Sequence, residues 1–100
     1  MIDQTFRALA DPTRRRILEL LRDDDLAAGE IAGHFDMAFA SVSHHLQVLR
    51  DAALVQSRRD GQHIIYSLNT TVFQDALQHL LEIGGRSSTG KGSARSRGGS

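Results

Sequence analysis

The sequence predicts a mostly α-helical fold with one small β-hairpin, in the order α-α-α-α-β-β-α. Three observations carry this prediction. Through most of residues 1–83 the apolar side chains recur three and four positions apart, the period of helices with one buried face. One stretch, from Leu54 to Leu68, is instead rich in Val, Ile and Tyr and is interrupted by Asp60-Gly61, the composition of two short strands joined by a tight turn. Beyond Ile83 apolar residues all but vanish.

The elements follow in order. Ile2, Phe6 and Leu9 define one face of a short first helix. Asp11-Pro12 opens the second: the carboxylate caps the helix, and proline suits the first helical position because its missing N–H has no partner there. Ile17, Leu18, Leu20 and Leu21 are its apolar stripe. Of Arg14, Arg15 and Arg16 at least two must face water, and Asp23-Asp24-Asp25 oppose the helix dipole, so the helix is expected to stop near Arg22. A short third helix is expected from about Ala28 to Phe35, followed by a turn at Asp36-Met37-Ala38. A fourth runs from about Phe39 to Ala52 on Val42, Leu46 and Leu49. Strands are expected at Leu54–Arg59 and Gln62–Leu68, with Asp60-Gly61 between them. The last helix, about Thr71 to Ile83, has an apolar stripe of Val72, Phe73, Ala76, Leu77, Leu80 and Leu81. That is wide for a terminal helix of a small domain, and its surplus suits an interface between two copies; the plain alternative is that it packs only on its own core.

Length and composition frame the reading. One hundred residues, 40% of them hydrophobic, are expected to form a single domain over 1–83. Residues 84–100 are mostly Gly, Ser and Arg and are expected to be a disordered basic tail, since they cannot bury enough apolar surface to order themselves. Charge divides along the same line. The first 83 residues hold all twelve acids against eight arginines, and the tail holds Arg86, Lys91, Arg95 and Arg97 with no acid. The net charge of zero thus conceals an acidic body and a basic end, and for nucleic acid the distribution matters more than the sum. There are no cysteines, hence no disulfides and no thiolate metal site. No run of eighteen apolar residues occurs, the first ten residues do not resemble a secretory leader, and a cytoplasmic protein with no membrane partner is expected.

The third and fourth helices have the spacing of a helix-turn-helix. Ala32 is small enough for close helix approach, and Ile31, Phe35, Met37, Val42 and Leu46 fall where the unit needs apolar residues. With Val42 turned inward, Ala40, Ser43, His44 and Gln47 point away from the core, and Ser41 lies in the first turn. Ser41, Ser43, His44 and Gln47 are therefore candidate contacts to base edges or phosphates. The hairpin carries Arg58, Arg59, Gln62 and His63 around its tip. Beside a helix-turn-helix such a basic hairpin reads as a wing that reaches a neighbouring groove or backbone; in isolation it would read as a solvated edge.

Several linked segments carry a family likeness. Residues Phe6 to Leu18 (FRALADPTRRRIL), Gly29-Glu30-Ile31-Ala32, Ser41 to Leu46 (SVSHHL) and Gly61 to Leu68 (GQHIIYSL) resemble, in order and over about residues 2–83, the ArsR/SmtB-type winged helix-turn-helix repressors. The resemblance is closest to the metal-independent, SdpR-like autorepressor branch. It implies a homodimer built from the first and last helices, with Ile2, Phe6, Leu9, Phe73, Leu77, Leu80 and Leu81 in the seam, and repression by occupying a near-palindromic operator. The sequence departs from the family at Ala38-Phe39-Ala40, where a polar or proline-containing tripeptide is usual, and at Ala27, where Ser or Thr is common. The first loses a side-chain cap worth ~1 kcal/mol and a basic or amide contact. Phe39 could meet a thymine methyl or pack under the hairpin.

Many members of that family sense metals through cysteine pairs, which this chain lacks, or through Asp/His sets on the last helix. Asp75, His79 and Glu82 share a helix face and are weak candidates for nickel or zinc, against the simpler reading of a solvated polar face with no cofactor. His45 lies nearer the core than His44 and is expected to be structural. Three functional classes compete: a DNA-binding regulator, metal-responsive or not; a winged-helix protein-interaction module that no longer binds DNA; and an enzyme. Nothing favours the last, because there is no glycine-rich phosphate loop and no nucleophile with a matched base.

Overall fold

The computed structural model describes residues 2–89. Its elements are α1 (Ile2–Leu9), α2 (Pro12–Asp23), β1 (Leu26–Ala27), α3 (Ala28–Ala32), α4 (Phe39–Asp51), β2 (Val55–Asp60), β3 (His63–Leu68) and α5 (Thr70–Thr89). This is the mostly helical winged fold that the periodicity predicts, with one addition. The two-residue strand β1 pairs antiparallel with β3, Leu26 against Tyr66 and Ala27 against Ile65, so the hairpin becomes a three-stranded sheet in the order β1-β3-β2.

The helix ends follow their local chemistry. Asp11 is extended (φ −96°, ψ 129°), and its carboxylate accepts the Arg14 amide at 3.0 Å, with Pro12 at the first helical position. α3 ends at Ala32, three residues before the expected Phe35. Past it, the amides of His34 and Phe35 donate to the carbonyls of Ile31 and Ala32, i→i+3 bonds that tighten the chain out of the α-helix. α4 closes in a Schellman motif: the Leu54 amide donates to the Leu49 carbonyl and the Ala53 amide to the Arg50 carbonyl. The motif needs a left-handed residue, and here Ala53 occupies it with φ 61°. Asn69 starts α5, its side chain accepting the Val72 amide, while its own amide donates to the Leu54 carbonyl and ties the helix to the base of the wing.

In the hairpin Asp60 pairs with His63, so the two-residue turn is Gly61-Gln62 rather than Asp60-Gly61. Gly61 has φ 65°, and a glycine first in a two-residue turn is where positive φ costs least. α5 runs to Thr89, six residues past the expected end at Ile83; the rest of the expected tail, residues 90–100, lies outside the described residues.

The core is continuous across α1, α2, α3, α4 and the start of the wing. Ala8, Ile17, Leu18, Leu21, Ile31, Val42, Leu46, Leu49, Leu54 and Val55 are buried, and Leu9, Ala32, Phe35, Tyr66, Val72 and Phe73 pack against them. Among the described residues no polar or charged group is buried, and no helix is long and apolar enough to cross a membrane.

Candidate nucleic-acid interface

α4 has three apolar anchors and a polar outer face. Val42, Leu46 and Leu49 are buried, and they fix the rotation of the helix against α2 and α3. Ser41, Ser43, His44 and Gln47 are then all exposed. The Gln47 amide group donates to Asp51 Oδ1 at 2.8 Å, one turn on, which holds the side chain along the helix. No side chain caps the helix start: Ala38 is the N-cap, and its carbonyl accepts the Ser41 and Val42 amides. Phe39 is 55% exposed and is not among the side chains packed against the core. At α3 the missing cap at Ala27 is offset from the other side, since Glu30 Oε1 accepts the Ala27 amide at 2.8 Å. A carboxylate in a first turn also suits the helix dipole.

The wing carries its arginines on opposite faces. Arg58 pairs with Ile65 and Arg59 with Ile64 in the β2–β3 ladder, and successive strand residues point to opposite sides. Both are exposed, as are Gln62 and His63 at the tip. Arg58 reaches across β3 to Asp25, with NH1 to Oδ2 at 3.1 Å, a partner that sequence reasoning missed. Only the three-stranded sheet brings the two together, and β1 is too short to show an alternating pattern.

A second missed cluster links three helices. From α2 the Arg14 guanidinium donates to the carbonyls of Arg7 and Ala8, at 2.7 and 2.9 Å, holding the C-terminal end of α1. Its third contact is His45 Nδ1 on α4 at 3.1 Å. A guanidinium has no acceptor, so Nδ1 must present its lone pair and the neutral ring carries its proton on Nε2. Asp11 Oδ2 lies 3.8 Å from the same nitrogen. Burial lowers the His45 pKa and the Arg14 charge adds to the effect, outweighing the attraction of Asp11. The Asp11 carboxyl lies below its ordinary value: burial raises it, but the Arg14 amide, the charge of His45 once its ring is protonated, and the charge of Arg14 prevail. Asp11 was legible as the cap of α2; the reach of Arg14 to α4 had no signal in the sequence.

The proposed seam residues divide. Leu9 and Phe73 pack against the chain's own core, and Phe6 stacks on His79, with ring centroids 5.9 Å apart. The side chain of Ile2 lies outside the described ones. Leu77, Leu80, Leu81 and Ile83 stay exposed on α5. Of the weak metal candidates, His79 is engaged by Phe6 and Glu82 accepts from Gln78. Among the described residues no three His, Cys, Asp or Glu side chains gather to hold a metal ion.

Comparison with known proteins agrees with this geometry. Residues 11–57 match the family described as bacterial regulatory protein, arsR family. The transcriptional repressor SdpR of Bacillus subtilis (strain 168) is 49% identical over 82 residues, covering 82% of this chain and 91% of that protein. The ArsR-like transcriptional regulator from Rhodococcus sp. RHA1 superposes with a TM-score of 0.73 at 27% identity, covering 88% of this chain and 83% of that one. A homodimeric winged helix-turn-helix DNA-binding domain from Mycobacterium bovis, a possible ArsR-family regulator, superposes with a TM-score of 0.70 at 26% identity over 88% of this chain and 82% of that one. The chain thus belongs to the ArsR family of bacterial regulatory proteins, and it is a DNA-binding transcriptional regulator, not an enzyme.

Proposed function

We propose that the chain is a cytoplasmic repressor that occupies a near-palindromic operator as a homodimer, without a metal cofactor. The observation that carries this reading is the exposed row of Ser43, His44 and Gln47 on α4, held outward by the buried Val42, Leu46 and Leu49. Ser41, Ser43, His44 and Gln47 enter the major groove. Arg58, Arg59, Gln62 and His63 meet the flanking backbone or minor groove. Two copies pair through α1 and α5, which covers Leu77, Leu80 and Leu81; the homodimeric state of the Mycobacterium bovis relative supports this.

Metal independence is supported by the absence of cysteine and by the engagement of His79 and Glu82 within the chain. The test is fluorescence anisotropy on the DNA upstream of the protein's own gene, titrated with salt, with and without nickel or zinc. Tight binding that weakens steeply with salt and ignores both metals is expected. Failure to bind any duplex at low salt overturns the DNA reading, and an isotherm that moves with metal overturns metal independence.

A further inference from the structure

The large exposed apolar side chains fall into two groups. Leu77, Leu80, Leu81 and Ile83 all lie on α5, where a second copy would cover them. Met37, in the turn before α4, and Phe39, its first residue, have 37% and 55% of their surfaces exposed. Pairing through α5 does not account for the second group. Its location is specific: Phe39 is the first residue of the recognition helix, four positions before Ser43 and so next to it on the helix surface. In a helix-turn-helix it is the N-terminal residues of that helix that meet base edges.

Ahead of Ser41, the start of the recognition helix offers no side-chain hydrogen bond to a base. Ala38, Phe39 and Ala40 are all exposed, and none has a polar side chain. What such a surface recognises in the major groove is apolar, and the apolar group displayed there is the 5-methyl of thymine. A ring half out of water gains by covering it. Resting on the DNA-binding reading above, we propose that Phe39 is a specificity-determining residue that reads a thymine methyl in each half-site. The departure from a polar tripeptide then exchanges hydrogen-bond readout for methyl readout.

Deoxyuridine tests this, because it pairs as thymine does and lacks only the methyl. The full chain is titrated by anisotropy against its operator duplex, with each thymine replaced in turn by deoxyuridine. One symmetric pair of positions is expected to weaken binding roughly four-fold per methyl removed, the burial value of one such group. Phe39→Ala is expected to bind the unmodified operator more weakly and to lose that penalty, while Phe39→Leu keeps part of it. Both variants should remain folded, with melts at most modestly below wild type, since 55% of the residue's surface is already in solvent. If wild type is indifferent to deoxyuridine at every position, or Phe39→Ala retains the penalty, the proposal is overturned and the ring is left for a protein surface. If wild type binds no duplex at all, the DNA reading itself fails, and the inference with it.

Discussion

Arg14 is where the fold and the recognition helix meet. Its fork holds two carbonyls of α1 and the ring nitrogen of His45 on α4, and the contact to α4 requires His45 to be neutral. The charged and titratable groups facing that ring are Asp11 and Arg14 from α2 and His44 from α4. Because the folded-state pKa lies below the ordinary 6.5, the unfolded chain takes up the proton first on acidification. The contribution of His45 is therefore complete above pH 6.5 and is lost as pH falls through the lowered value. Asp11, lowered from 3.8, adds a second loss below that pH. Urea midpoints measured across pH should decline just below pH 6.5 in wild type, and His45→Gln should flatten that limb while leaving the more acidic one; an unaltered limb would place the titrating group elsewhere. The polar row on α4 was legible because three buried apolar residues fix a helix's rotation. The inward place of His45 was legible for the same reason, but its partner was not, since a contact between residues 31 apart leaves no local pattern.

At the scale of elements, the helices were legible wherever an apolar stripe and a cap coincide, as at Asp11-Pro12. Local pattern failed where tertiary pairing decides. β1 exists because β3 offers an edge to Leu26 and Ala27, and two residues are too few to alternate. α5 runs through Gly84 to Thr89 although glycine disfavours a helix interior. The end of α4 contains a strain that is testable directly. Ala53 holds the left-handed position of the Schellman motif at φ 61°, a conformation costly to any residue with a Cβ. Ala53 is exposed, so Ala53→Gly should raise stability by about 0.5–1 kcal/mol, after glycine's greater unfolded-state freedom is allowed for. DNA affinity should not change, because the residue sits at the far end of α4 from the first turn; a lower thermal midpoint would mean that the methyl contributes packing. In the wing, the split of the arginines gives unequal roles. Asp25 already neutralises part of the charge of Arg58, whereas no ion pair is formed by Arg59 among the described residues. Arg59→Ala should lower the slope of log affinity against log salt by about 1 per copy, about 2 for the proposed dimer, and Arg58→Ala by less. An unchanged slope for Arg59→Ala removes the wing from the backbone contacts.

At the scale of the whole molecule, the acidic balance of residues 1–83 sets a problem that the proposed two-fold pairing would solve. One copy offers a polar helix face and a few exposed arginines, too little charge for tight binding on its own. In the proposed dimer, two copies would present two recognition helices about one turn of DNA apart, near 34 Å, and would double the phosphate contacts. The surface free to join them is on α5, where Leu77 and Leu80 are 41% and 37% exposed. Because both already meet solvent and lie outside the core cluster, circular dichroism should record little change in helix content, while melting should fall by the contribution of the lost dimer. Like charges facing across a two-fold axis oppose pairing, so Leu77→Glu with Leu80→Glu should sediment as a monomer where wild type sediments as a dimer. The consequence for DNA follows from counterion release: the slope of log affinity against log salt tracks the number of phosphates neutralised. The monomer should keep about half the wild-type slope and should bind an isolated half-site as well as the full operator. A variant that stays dimeric would move the seam off α5. A monomer that retains the full slope would show instead that one copy makes every backbone contact, and the operator would then need no two-fold symmetry.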